Sequence, residues 1–210
     1  MRPVAIVNSG GGGQAAVIYD ACLAASIPVA GWLAADDATP PPDPGLAALG
    51  GLDRLRDAAF LGAHRVIVGA GPAAQRRALA EQVLVLGGEL ATILHPAAVL
   101  SALATIGEGS FLAAGAVVGA HATLGRCVTV NAGATIDHDN VLGDGVSISP
   151  GVHLAGFVRC EQDAFVGVGA SVAPGVTIGA RALVGAGAVV IREVPADARV
   201  AGNPAKPLSR

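Results

Sequence analysis

The sequence predicts a parallel β-helix preceded by a small α/β unit built on a doubly wound sheet. Three observations predict it. From Leu94 to Val190 every sixth residue is apolar, through Ile106, Val130, Ile136, Ile148, Val166 and Ile178, and the phase never slips. The residue four further on is small or β-branched almost throughout, as at Ala116, Ala134, Val152 and Ala170, with Asn140 the polar exception. Ahead of the hexads stands a strand-like run, a glycine loop and the start of a helix. A fixed six-residue period marks coils that stack and bury one continuous core. A helix would repeat near 3.6 residues and would not tolerate this much glycine. An ordinary strand would alternate every second residue and stop within about ten.

Composition agrees and excludes other classes. The chain holds 30 Gly and is 52% hydrophobic but only 3% aromatic, which suits a narrow core of small branched side chains. A net charge of −3 with no basic block argues against nucleic acid. Mean hydropathy is positive, yet Gly, Pro and polar groups interrupt every apolar run short of the roughly 18 residues of a membrane span. Met1-Arg2-Pro3-Val4 leads into a strand and does not read as a signal peptide. Cys22, Cys127 and Cys160 lack metal-ligand spacing and read as reduced small hydrophobes of a cytoplasmic protein, so no metal is expected.

Residues 1–93 form the first predicted unit. Val4–Val7 reads as a buried strand, Gly10, Gly11, Gly12 and Gly13 as the loop, and Gln14 to about Ala25 as a helix. Glycine lets the backbone approach an anion, and a helix N-terminus offers free N–H groups and a positive dipole. A second strand is expected near 28–33. Asp36 and Asp37 follow it at the distance where an acid can bind ribose hydroxyls. The proline run from Pro40 to Pro44 is a stiff surface loop. A helix near Leu52–Leu61, a strand Arg65–Val68, a Gly69-Ala70-Gly71 turn and a helix from about Pro72 to Leu86 complete a Rossmann-like βαβαβα unit. Two readings of the glycine run stand: a nucleotide or nucleotide-sugar site, or a structural turn. Arg76 and Arg77 either reach a phosphate or form a solvated helix face.

Residues 94–195 form the second unit, with 196–210 as a tail. His95, His121 and His153 lie in bland surroundings and read as structural or surface residues. His138 differs: it sits in Asn131–Asn140, the most polar stretch of the hexads, between Asp137 and Asp139. A carboxylate beside an imidazole orients it and raises its basicity, as a general base requires. The alternative is a surface histidine in a polar loop. If three hexads make one coil, Gly156 stacks beside His138. Its backbone N–H is then placed to stabilise the oxyanion of an acyl-transfer intermediate, and one such donor contributes about 3 kcal/mol.

The hexad array, the Asn131–Asn140 segment, Gly185–Val190, the Gly202-Asn203-Pro204-Ala205-Lys206 motif and the N-terminal unit together resemble one family. It is the left-handed β-helix (hexapeptide-repeat) sugar O/N-acetyltransferases, in the branch of sialic-acid O-acetyltransferases and UDP-4-amino-sugar N-acetyltransferases of bacillosamine and perosamine type. The resemblance implies the 18-residue coil and its left hand, where the general rule for crossovers would favour the right. It implies an α/β Rossmann-like domain followed by an all-β left-handed parallel β-helix, and a homotrimer with active sites between subunits. It implies acetyl-CoA as co-substrate, held by Gly156, Val168, Ala186 and Lys206. His138 would be the general base, with Asn131, Asp137 or Asp139 positioning it or the acceptor. The nucleotide-sugar would bind through Gly10–Gly13, Gln14, Asp36 or Asp37 and Gly69, with Ser147 on the acceptor side. Acetyl would pass directly to a sugar amine, or to a sugar hydroxyl in the O-acetylating alternative. Three positions depart from the family's pattern. Gln14 and Ser147 stand where the family usually has histidine, and the turn after Gly69 lacks its usual acidic or amide residue. Those changes leave the acceptor's identity open and keep a non-catalytic sugar-nucleotide-binding protein as a further reading.

Overall fold

The structure, a computed structural model, describes residues 2–8, 13–36, 39–69 and 71–208. The chain divides into two compact units: Met1–Pro96 with Glu108–Ser110, and Ala97–Gly107 with Phe111–Arg210. No helix among the described residues is long and apolar enough to cross a membrane.

The first unit is a five-stranded parallel sheet. Strands β1 (Val4–Asn8), β2 (Val29–Ala34), β3 (Ala48–Gly51), β4 (Arg65–Val68) and β5 (Glu89–Leu90) lie in the order β3-β2-β1-β4-β5. β1 is buried along its whole length, as a central strand covered on both faces must be. Helix α1 (Gly13–Ala24) buries Ala15, Ile18, Ala21 and Cys22, the helical spacing of one face. The expected helix over 52–61 is two pieces, a 3₁₀ turn Leu52–Arg56 and helix α2 (Ala58–Ala63). Asp57 divides them, because its carboxylate accepts from the N–H groups of Ala59 and Phe60 and starts a new helix. In α3 (Ala73–Val85), Arg76 is buried with Ala80 and Val83, so the expected solvated Arg76–Arg77 face holds only for Arg77, which pairs with Glu81.

The second unit is a left-handed parallel β-helix. Its strands are two residues long, and each pairs with strands 18 residues before and after it: Thr135–Ile136 pairs with Val117–Val118 and with His153–Leu154. Three hexads therefore make one triangular coil. The first face carries Thr135–Ile136, the second Val141–Leu142 and the third Ser147–Ile148. One residue of each strand points inward, and Ile136, Leu142, Ile148, Leu154, Cys160 and Val166 are all buried. Leu94, Leu100 and Ile106, in the first coil, are only half-buried. The right-handed crossover preference arises from strand twist, and two-residue strands have almost none. From Gly109 to Gly187 each corner takes one residue with positive φ. At the corner between the first and second faces these are His121, Asp139, Phe157 and Gly175. Beyond Val194 the chain stays in the fold: Arg199–Ala201 pairs parallel with Leu183–Val184, and Lys206–Pro207 pairs back on it antiparallel.

Candidate active site

His138 lies at the corner between the first and second faces, and every neighbour in sequence helps to hold it. The Asp137 carboxylate accepts the His138 backbone N–H at 2.8 Å. Asp139 has φ of 57°, a left-handed conformation that turns its side chain back, and its Oδ2 lies 2.8 Å from His138 Nδ1. With Nδ1–H donated to that carboxylate, the Nε2 lone pair is left for an incoming proton. Asn140 is fully buried in a column of small apolar residues. Its amide donates to the carbonyls of Asp137 (2.9 Å), His138 (3.3 Å) and, one coil on, Ala155 (2.9 Å). This amide closes the corner and ties it to the next coil.

That next coil supplies the surface under the ring. A Cβ built on Gly156 would fall 2.6 Å from His138 Cε1 and 2.7 Å from Nε2, so the imidazole lies where only glycine leaves room. The Gly156 N–H has no acceptor among the described residues. Phe157 follows in a left-handed conformation (φ 63°), a strained choice for an aromatic residue. Its ring meets the imidazole edge-on at 5.1 Å and is itself 58% exposed. The imidazole thus has glycine backbone beneath, phenyl at its edge and carboxylate at Nδ1.

The hydrogen bond that His138 donates to Asp139 raises the His138 pKa above its ordinary value; desolvation opposes this, and the charges of Asp137 and Asp139 add to it. A base works only when deprotonated, so kcat/KM rises as pH passes upward through that raised value. Asp139→Asn removes the charge and the preferred tautomer. We expect the rising limb to move to lower pH and the plateau to fall about 10–100-fold, read from a pH–rate profile. The sign for stability is opposite. The interaction stabilises the fold below the unfolded imidazole's pKa and is lost as pH rises through the folded one.

The other expected residues fall elsewhere. Asn131 opens the corner between the third and first faces, and its Nδ2 donates to the Ile148 carbonyl at 3.1 Å. Val168 and Ala186 stand at that same corner, one coil apart, so the first face separates all three from His138 within one chain. Their N–H groups have no acceptor among the described residues, as with Gly156. Ser147 lies on the third face, nearly buried, and Lys206 on the strand that extends that face's sheet. A groove of about 420 Å³ runs along the first face beside Asp137, lined also by Thr135, His153 and Ser171. His153 is held there by Thr135, with Oγ1 and Nδ1 2.9 Å apart. Sequence reasoning missed Phe157 and the role of Asn140; the polar break in an otherwise small apolar column is the signal that marks Asn140. Burial pushes the Cys160 thiol up to about 12, which removes it as a nucleophile.

In the first unit, Gly10, Gly11, Gly12 and Asp37 lie outside the described residues. Gly13 and Gln14 begin α1, and the Gln14 Nε2 is buried with no acceptor among the described residues. Asn8 is buried at the end of β1; its Nδ2 donates to the Pro40 carbonyl at 2.8 Å, and its Oδ1 has no partner among the described residues. Gly69 sits where a Cβ would lie 3.2 Å from the Ala15 Cα, so it lets the end of β4 approach α1 closely. Asp36 lines a second cavity, of about 500 Å³, together with Asp53, which sequence reasoning missed. Among the described residues no cluster of metal-ligating side chains occurs.

No model of a known protein family matches the chain, and no curated protein does. Solved structures do. The acetyltransferase domain of PglB from Neisseria gonorrhoeae, in complex with acetyl coenzyme A, is 36% identical with a TM-score of 0.90, over 99% of each chain. PerB from Caulobacter crescentus, in complex with CoA and GDP-perosamine, is 37% identical with a TM-score of 0.91, over 99% of this chain and 97% of that one. A histidine-to-alanine variant of the Caulobacter GDP-perosamine N-acetyltransferase, also with CoA and GDP-perosamine, matches at 36% identity and a TM-score of 0.92, again over 99% of this chain and 97% of that one. With end-to-end likeness at these identities, and an imidazole–carboxylate pair packed against Gly156, this chain belongs to the hexapeptide-repeat sugar N-acetyltransferases, enzymes that take their acyl group from acetyl-CoA.

Proposed function

We propose that this chain acetylates the amino group of a nucleotide-linked amino sugar directly from acetyl-CoA, with His138 as the general base. The Asp139–His138 hydrogen bond over Gly156 carries the reading. Nε2 takes a proton from the sugar amine as its nitrogen attacks the thioester carbonyl. The oxyanion of the tetrahedral intermediate accepts from the Gly156 N–H. Collapse then breaks the C–S bond and expels the CoA thiolate, leaving the amide. No acyl-enzyme is needed, consistent with buried cysteines. At the end of β1 and the start of α1, Asn8 Oδ1 and Gln14 Nε2 lack partners among the described residues, and a nucleotide sugar would supply them. The bound GDP-perosamine of the Caulobacter neighbour supports the acceptor class.

The same reading makes the enzyme a cytoplasmic homotrimer. Asn131, Val168 and Ala186 occupy a different edge of the β-helix from His138, so a neighbouring copy is what would bring residues of this kind to the base and the CoA. The test is acetyl-CoA consumption with GDP- and UDP-linked 4-amino sugars, and with free sialic acid as the hydroxyl acceptor. Turnover only on an amino sugar is the expected result; turnover only on the hydroxyl acceptor removes N-acetylation. Sedimentation should give three copies, and a monomer that retains full activity rejects the shared site.

A further inference from the structure

The cavity of the first unit lies at the carboxyl ends of β2 and β3. On a sheet of this topology a nucleotide runs outward from the centre. Its phosphates sit at the turn after the first strand and its ribose sits against the acid after the second. The base then falls beyond β2, toward β3, and the 500 Å³ cavity occupies that place. Its apolar walls include Trp32, Ala48 and Leu52, suited to the face of a heterocycle.

Two carboxylates supply its charged groups, and they differ in readiness. Asp36 accepts from Thr39 Oγ1 at 2.8 Å, which orients it. Asp53, exposed in the first turn of the 3₁₀ helix, has no hydrogen bond or ion pair among the described residues. Its Oδ1 lies 2.9 Å from the position a Cβ on Gly51 would take, so glycine there gives the carboxylate its place at the rim.

An ionised carboxylate offers acceptors only. Guanine presents two adjacent donors on its Watson–Crick edge, N1–H and the 2-amino group, and matches it bidentately. Uracil presents one N–H flanked by two carbonyl oxygens, which the carboxylate repels. Adenine places its amino group beside a bare ring nitrogen. We propose that Asp53 reads the nucleobase, so that the cavity takes the guanine of a guanosine diphosphate sugar with Asp36 toward its ribose. This deepens the reading of the chain as an enzyme of nucleotide-linked sugars and rests on it.

The test is binding of GDP, IDP and UDP to the full chain by calorimetry, without acetyl-CoA. GDP should bind about 10-fold tighter than IDP, which lacks only the 2-amino group, and roughly 100-fold tighter than UDP. In Asp53→Ala the GDP-to-IDP ratio should fall to about one, and Asp53→Asn should fall between. Equal affinity for GDP and UDP, or a GDP-to-IDP ratio that survives in Asp53→Ala, overturns the assignment. Because no chemistry is involved, the two readings fail separately. A guanine preference without acetyl transfer to any amino sugar sinks the proposed reaction alone. Acetylation of amino sugars with no preference among bases sinks the role of Asp53 alone.

Discussion

Alanine in place of His138 lowers kcat by about 10²–10⁴-fold and leaves the KM for acetyl-CoA nearly unchanged. On the proposed mechanism the imidazole meets the reacting amine and not the body of the cofactor, so its loss would fall on the chemical step. The deficit should narrow as pH rises. A sugar amine is protonated near neutrality and must shed a proton before it can attack, and in the variant only solvent can remove it. Above the amine's own pKa the free base arrives ready, and the variant recovers part of its rate. Initial rates of wild type and variant from about pH 6 to 10 read this directly. A raised KM with kcat unchanged would make His138 a binding residue, and an undiminished rate would remove it from the reaction.

Alanine in place of Gly156 should cost about 100-fold in kcat while the free energy of unfolding changes by only about 0.5 kcal/mol. The added methyl would stand 2.6 Å from Cε1 and 2.7 Å from Nε2, well inside contact distance. What must yield is a half-exposed side chain, since 48% of the His138 side chain faces solvent. The ring swings outward at little cost to the fold, and on doing so it leaves Asp139 and the Gly156 N–H. A displacement of about 1 Å at a reacting atom is enough for the rate loss. Urea unfolding alongside steady-state kinetics separates the two effects. A loss of stability with an intact kcat per folded molecule would show that the glycine serves packing alone.

The β-helix was legible because its core repeats: the column from Leu112 to Val190 is buried with the six-residue phase seen in the sequence. The 18-residue coil was not in that phase and came from the resemblance. In the first unit, β1, β2 and β4 were read within a residue or two, but the short edge strand β5 was missed, and so was β3. Its Ala-Leu-Gly-Gly sequence reads as loop, and only pairing with Trp32–Ala34 makes it a strand. Asp53 went unseen with it. At the site, His138 and its flanking acids stood out as a polar break in apolar hexads. Phe157 did not, because nothing in an aromatic residue announces a left-handed corner. Its conformation follows from sharing a column with His121, Asp139 and Gly175. Asn140 was visible as an exception, but its bond to Ala155 needed the stacked coil.

The pairing of Thr135 with His153 imposes a rule of length on any relative of this enzyme. His138, the proposed base, and Gly156 beneath it are drawn from adjacent turns of one spiral, 18 positions apart. Loops may grow outward from a corner, and whole turns may be gained or lost toward either end, without disturbing them. Between His138 and Gly156 the count along the spiral cannot drift by even one residue, since that would rotate every later side chain out of phase. Divergence in size should therefore accumulate at the two ends and at corners away from this pair, so the catalytic turn would be the part of the chain least free to change its length.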